Sequence, residues 1–235
     1  MFHAFIRYPD GTIKKSILKF RQIRFFMLII ASVFLLQGCI EITEEVRVND
    51  DGSGSMSLSL STGDDNPLLA LIGQYADVKV TDELKQNARQ MTGVLRYQEG
   101  ISNVRLNENR WKGSISLSFD FEDDRVLNDA LYAAAGAEKT FFQPSIYKIR
   151  DHKFVRKNTT RWLVKLLEEE QESIPDEVLF DLVEVTSVYH IPHPARKVKS
   201  SPGLKAAPDR QTFSTTHFLS DMVNDGINTK IKIKY

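Results

Sequence analysis

The chain has 235 residues, 31 Lys+Arg against 31 Asp+Glu, and a single cysteine. That length suits one domain or two small ones, and one cysteine excludes an internal disulfide. No low-complexity tract or long charge block occurs, which argues against a disordered chain.

The first 24 residues carry Arg7, Lys14, Lys15, Lys19, Arg21 and Arg24 against one acid, Asp10. Phe25 to Leu36 follow, an apolar run broken only by Ser32. A basic segment leading into a short apolar run is the pattern of a secretory signal. The run falls short of the roughly 20 residues that a membrane-crossing helix needs. It ends in Leu36-Gln37-Gly38-Cys39. This tetrapeptide resembles the lipobox of bacterial lipoproteins, with an apolar residue three positions before the cysteine and a small one directly before it. The resemblance implies cleavage between Gly38 and Cys39, a diacylglycerol on the Cys39 thiol, and often a further acyl chain such as palmitate on the new amino group. At about 0.8 kcal/mol per buried methylene, several acyl chains hold a protein on a bilayer effectively for good.

Removing residues 1–38 leaves 197 residues with 25 basic and 30 acidic side chains, a net charge of −5. A mildly acidic chain has no electrostatic footprint for nucleic acid. The sequence shows no polybasic patch for anionic lipid either. Membrane attachment is therefore expected through the lipid on Cys39 alone.

After Cys39 a strand pattern begins without a linker. Ile40, Ile42, Val46 and Val48 alternate with polar residues. Glu44 breaks the apolar side, which suggests a place at the sheet edge or near the tether. Asn49 to Gly54 read as a turn, and Met56, Leu58 and Leu60 alternate with serines, so the segment predicts a β-hairpin. The turn lacks the ligand ladder of a calcium loop. Asn66 and Pro67 open a short helix with Leu68, Leu69, Leu71, Ile72 and Tyr75 on its apolar side. A second helix is predicted from Asp82 to Met91, capped by Thr81 and stopped by Gly93. Val94 to Tyr97 and Ile101 to Leu106 read as short strands. Trp111 to Phe121 is the clearest strand, and Asp123-Asp124 caps a helix through Ala135 that Gly136 ends.

An internal echo links two of these units. Gly54 to Leu60 lines up with Gly113 to Phe119 at an offset of 59, and Asp64-Asp65 with Asp123-Asp124. Residues 54–76 and 113–135 are thus candidate β–α pseudo-repeats, by duplication or by convergent amphipathic patterning. Phe141 to Ile149 and Lys153 to Val155 form another strand pair. Thr160 to Glu172 reads as a helix, Asp176 to Phe180 as helix or loop, and Leu182 to Ile191 as a long strand. A basic, turn-rich stretch runs from Arg196 to Pro208. Thr212 to Phe218, a helical turn near Ser220 to Val223, and a strand from Thr229 to Tyr235 close the chain. The lysines of Lys230-Ile231-Lys232-Ile233-Lys234 suit an edge strand that resists mispairing.

No fingerprint of a hydrolase, metalloprotease, nucleotide or dinucleotide site occurs. His190 and His193 stand three apart, but Pro192 and Pro194 place them at a strand end without a completing ligand. Asp120, Glu122, Asp123 and Asp124 are dense enough for calcium, yet capping accounts for half of them. No catalytic residue, metal or cofactor is expected.

The layout is similar to cell-envelope lipoproteins of Gram-negative bacteria, the Bacteroidota type especially, in which the lipidated cysteine runs into an acidic hairpin with a turn like Asp51-Gly52-Ser53-Gly54. Val188-Tyr189-His190-Ile191-Pro192 and Asp209-Arg210-Gln211-Thr212-Phe213 resemble the LppM-like domain of envelope lipoproteins. These likenesses imply an α+β domain in the envelope. Ile40 in place of an aspartate after the cysteine implies the outer membrane.

The expectation is a signal peptide, 1–38, followed by a single α+β envelope domain, 39–235. Its sheet is largely antiparallel, with helices packed on one face. The expected role is non-enzymatic, structural or binding an envelope protein partner. Two alternatives stand beside it: a periplasmic binding protein for a lipid or other small apolar ligand, and a hydrolase without a recognisable motif.

Overall fold

The two strands that follow Cys39 form the hairpin expected of them in the computed structural model, which describes residues 40–61, 79–109, 114–136, 144–160, 177–200 and 203–235. Strand β1 (Ile40–Val48) pairs antiparallel with β2 (Gly54–Ser61), from Glu41↔Ser61 to Val48↔Gly54. The turn is set by side chains: Asp51 accepts from the Ser53 amide at 3.0 Å and from its hydroxyl at 2.6 Å. Gly52 takes φ +85°, a conformation that costs glycine little. Several expectations lie outside the described residues. These are Leu36 to Cys39, the helix opened by Asn66, Trp111, Gly113, Phe141, nearly all of the helix after Thr160, and with residues 62–76 the second half of the first pseudo-repeat.

Helix α1 (Lys79–Arg96) is longer than the segment predicted from Asp82 to Met91. It runs through Gly93 and absorbs most of the strand expected from Val94 to Tyr97. Leu95 explains the difference. Its side chain is buried in the core, and that burial outweighs the roughly 1 kcal/mol that a helical glycine costs. The chain turns instead at Gly100, φ +77°. Strand β3 (Ile101–Asn109) then pairs with β4 (Ser114–Phe121), with a register shift between Ser102 and Arg105. Helix α2 (Asp124–Ala134) starts as the sequence predicts. The Asp123 carboxylate accepts from the amides of Arg125 at 2.9 Å and Val126 at 2.8 Å. Asn128, buried on α2, fixes the next strand. Its carbonyl oxygen accepts from the Tyr147 amide at 2.9 Å, and its amide donates to the Tyr147 carbonyl at 2.9 Å.

The remaining elements are β5 (Tyr147–Arg150), β6 (Lys153–Arg156), a 3-10 turn (Glu177–Leu182), β7 (Val183–His190), β8 (Lys197–Ser200), β9 (Lys205–Ala206), β10 (Thr212–Phe218), α3 (Leu219–Asn224) and β11 (Ile231–Lys234). The basic stretch from Arg196 to Pro208 thus holds two strands as well as turns. The strands form two sheets: seven in the order β3-β4-β2-β1-β7-β10-β9, and four in the order β5-β6-β11-β8. All pairings are antiparallel except β1 with β7, which is parallel. The fold is α+β, with a largely antiparallel main sheet.

Two placements correct the sequence reading. β1 is an interior strand, flanked by β2 and β7, so Glu41 and Glu44 are not at a sheet edge. β11 lies between β6 and β8, so its lysines do not guard an edge either. The echo strands are direct neighbours: β2 pairs with β4 so that Ser57 faces Ser118 and Leu58 faces Leu117.

One face of the large sheet carries the core. Val46, Met56, Leu117, Phe119, Tyr189 and Phe213 point into it. Leu95 of α1 and Leu127 and Ala130 of α2 join the same cluster from the helices. Ile149, Phe154, Ile231 and Ile233 join it from the small sheet. The Phe154 and Tyr189 rings meet across the two sheets, with centroids 5.2 Å apart. Helices and a second sheet therefore share the apolar side, and alternate residues of the strands face away from it.

Gly54, the first residue of β2, permits the closest backbone approach in the hairpin. A Cβ there would stand 2.1 Å from the Arg47 carbonyl oxygen and 2.6 Å from Phe121 Cζ. The carbonyl cannot step aside without breaking the β1–β2 ladder. Gly54→Ala is expected to lower unfolding free energy by about 3 kcal/mol. Urea titration of the variant tests this, and an unchanged midpoint would show that the hairpin yields at that point.

Candidate functional site

Gly38 and Cys39, the expected cleavage and lipidation residues, lie outside the described residues. The structure does show where the chain goes next. Ile40 opens β1 and pairs with Val183 at the start of β7. The position after the cysteine is thus in the middle of the main sheet.

Glu44, which the sequence marks as a break in an apolar stripe, is the centre of a polar network between the sheets. Its side chain points inward between the sheets. One carboxylate oxygen accepts from Arg156 Nη2 at 3.1 Å and from Ser187 Oγ at 2.9 Å. The other accepts from the Tyr147 hydroxyl. Glu44 comes from β1, Ser187 from β7, Tyr147 from β5 and Arg156 from β6, so the network ties both sheets together. The paired side chains are 13% and 8% exposed. Burial opposes the charge on Arg156, but the Glu44 carboxylate beside it holds the guanidinium above its ordinary value. Tyr189 lies in the same layer, and its hydroxyl is buried with no hydrogen-bond partner among the described residues. Burial, with the nearby Glu44 charge, pushes its phenol well above the usual range.

This arrangement is a clamp between the sheets. Its charges offset one another within the network and are largely withdrawn from solvent. Desolvation makes such a pair a weak source of stability, while breaking it leaves a lone charge in the core.

The histidines singled out by spacing separate onto different partners. His190 Nε2 meets Glu45 at 3.0 Å and its Nδ1 meets the Thr212 hydroxyl at 3.1 Å. His193 Nε2 meets Asp50 at 2.8 Å. The His193 ring also lies near those of His152 and Tyr235, with centroids 6.4 Å away in each case. The acids around residue 120 are similarly dispersed. Asp120 accepts from Asn103 at 2.6 Å, Asp123 caps α2, and Asp124 accepts from the Ile149 amide at 3.1 Å. Among the described residues, no group of three or more metal-ligating side chains converges.

A cleft of about 250 Å³ opens between α2 and β5, walled by Asp124, Asn128, Asp129, Tyr132, Lys148 and Arg150. Its charged lining does not suit an apolar ligand. A smaller groove of about 150 Å³ is lined by four lysines of β8 and β11. Among the described residues, no helix is long and apolar enough to cross a membrane.

No protein-family model matches the chain, and no curated protein matches it. Among solved structures it is similar to the folded domain of the Mycobacterium tuberculosis LppM protein, determined by NMR. The two share 9% identity with a TM-score of 0.40, over 84% of this chain and 90% of that one. The likeness to the LppM-like domain is a weak structural similarity.

The clamp yields two expectations. Arg156→Met strands the Glu44 carboxylate and should cost about 3–5 kcal/mol of unfolding free energy, whereas Glu44→Leu with Arg156→Met should recover most of that loss. A double variant as unstable as the single one would show that packing, not charge, sets the cost. The second expectation concerns Tyr189. Unfolded, its phenol ionises near pH ~10; folded, it keeps its proton to higher pH. Stability should therefore fall as pH rises past about 10, by up to about 1.4 kcal/mol per unit from this group. Denaturant titrations across that range should show a shallower fall for Tyr189→Phe.

Proposed function

We propose that this protein is a lipid-anchored lipoprotein of the bacterial cell envelope, acylated on Cys39, with a non-enzymatic structural or partner-binding role. The observation that carries the reading is Leu36-Gln37-Gly38-Cys39 at the end of an apolar run, with the only cysteine of the chain at its last position. The fold supports it. β1 takes up the chain one residue after Cys39, so the anchor is attached to the main sheet without a flexible spacer. The outer membrane is the favoured address, because Ile40 follows the cysteine. The lack of catalytic geometry at the Glu44 clamp, and the separation of His190 from His193, favour a binding or scaffolding role over hydrolysis.

Metabolic labelling with an alkyne palmitate analogue tests the address. The wild-type protein should take up label and yield an N-terminal peptide beginning at acylated Cys39, and Cys39→Ser should take up none. Equal labelling of the two, or a mature terminus elsewhere, would overturn the reading.

A further inference from the structure

The four-stranded sheet turns one face to the core and the other away from it. Register defines the outer face. One cross-strand row is Lys148, Val155, Lys232 and Lys199, and the next is Arg150, Lys153, Lys234 and Lys197. Seven of these eight residues are basic and none is acidic. Val155, at the centre of the first row, is 8% exposed. Lysine stems on both sides can cover it while their ammonium groups stay in water.

The five lysines of β6, β8 and β11 on this face make no ion pair with the described residues. The charges repel one another instead. Proximity to Lys153 above all, then burial and the Lys234, Lys199 and Lys230 charges, holds the Lys232 ammonium below its ordinary value. Neighbouring strands lie about 4.8 Å apart and alternate residues about 6.7 Å apart. Both spacings are inside the Debye length of about 8 Å at physiological salt, so the potentials add. A domain with net charge −5 after residue 38 has gathered positive charge onto one plane.

We propose that this outer face docks on an anionic lipid surface. The charge is complementary to phosphate headgroups. Four adjacent strands span about 14 Å, so the two basic rows can meet several headgroup charges at once. None of the eight residues in the two rows is an aromatic on which a base could stack. Point-charge lysines dominate it, in contrast to the arginine forks that read individual phosphates. On this reading attachment does not rest on acyl chains alone. Lys153, Lys197, Lys199 and Lys232–Lys234 are scattered along the sequence, and only strand pairing brings them together. The inference deepens the envelope reading and rests on it for the presence of a membrane. The acyl chains would hold the protein there, and the lysine face would set which side of the domain lies against the bilayer.

The test reads lysine accessibility in the full chain mixed with phosphatidylcholine vesicles, with and without phosphatidylglycerol. After brief acetylation, modified peptides are quantified by mass spectrometry. At low salt, Lys199, Lys232 and Lys234 should react about fivefold more slowly on the anionic vesicles, and high salt should restore their rate. Lys205, exposed on β9 of the other sheet, is the internal control and should not change. The variant Lys199→Gln/Lys232→Gln/Lys234→Gln should lose its excess binding to anionic over neutral vesicles. Its substitutions are at the surface and relieve repulsion, so the fold should hold. Equal acetylation on both vesicle types overturns the proposal. So does protection of the same lysines by duplex DNA without protection by anionic vesicles. Absence of palmitate on Cys39 would overturn the envelope reading but leave the anionic-minus-neutral difference readable, so the two failures are distinct.

Discussion

A single carboxylate holds the two sheets to one another. Glu44 sits on the inner side of the middle strand, where alternation calls for an apolar residue. It is tolerable there only because β5, β6 and β7 each supply a donor. Any shift of the small sheet by one residue would move Arg156 and Tyr147 to the opposite face, since side chains alternate along a strand. The cost would be an unpaired buried charge, which is large compared with the net stability of a domain of this size. The apolar contacts of Phe154, Ile231 and Ile233 have no such directional demand. They drive the sheets together, and the ion pair decides where they stop.

Much of the architecture could be read from the chain because its strands alternate strictly. The serine-faced strands β2 and β4, the Asp51 turn and the Asp123 cap follow from local rules. So do the strand from Leu182 to Ile191 and the helical turn near Ser220. The misreadings share one cause. Gly93 is a good helix stop in isolation, but Leu95 beyond it has a place in the core. Glu44 looks like an edge residue because nothing nearby in sequence can pair with it; its partners lie more than 100 positions away. Lysines on β11 look like edge protection because the alternation says nothing about who sits alongside. Local pattern reports the face of a strand, and only the topology reports its neighbours.

The same limit applies to function. Net charge sums over the whole chain and cannot show that acids and bases have been sorted in space. Seven basic side chains of β5, β6, β8 and β11 share the outer face of the small sheet, while many of the acids are occupied in caps, turns and the clamp. The lipobox-like tetrapeptide, residues 36–39, is the opposite case. It is contiguous, depends on no tertiary contact, and is legible before any strand has been placed.

The parallel pairing of β1 with β7 has a consequence for the order in which the chain can be completed. β2 reaches β1 through a short turn, but the other side of β1 waits for residues 183–190. Glu44 likewise waits for Ser187, 143 positions later. Such distant closure is slow. In a chain delivered from its N-terminus, β1 emerges before the other strands described and is sealed late. Through that interval it presents an unpaired edge and an uncompensated carboxylate at the same place. The edge invites strand addition, while the charge makes a buried, apolar docking of that edge unfavourable. Until β7 arrives Glu44 disfavours apolar docking on that edge, and in the finished fold it pins the two sheets.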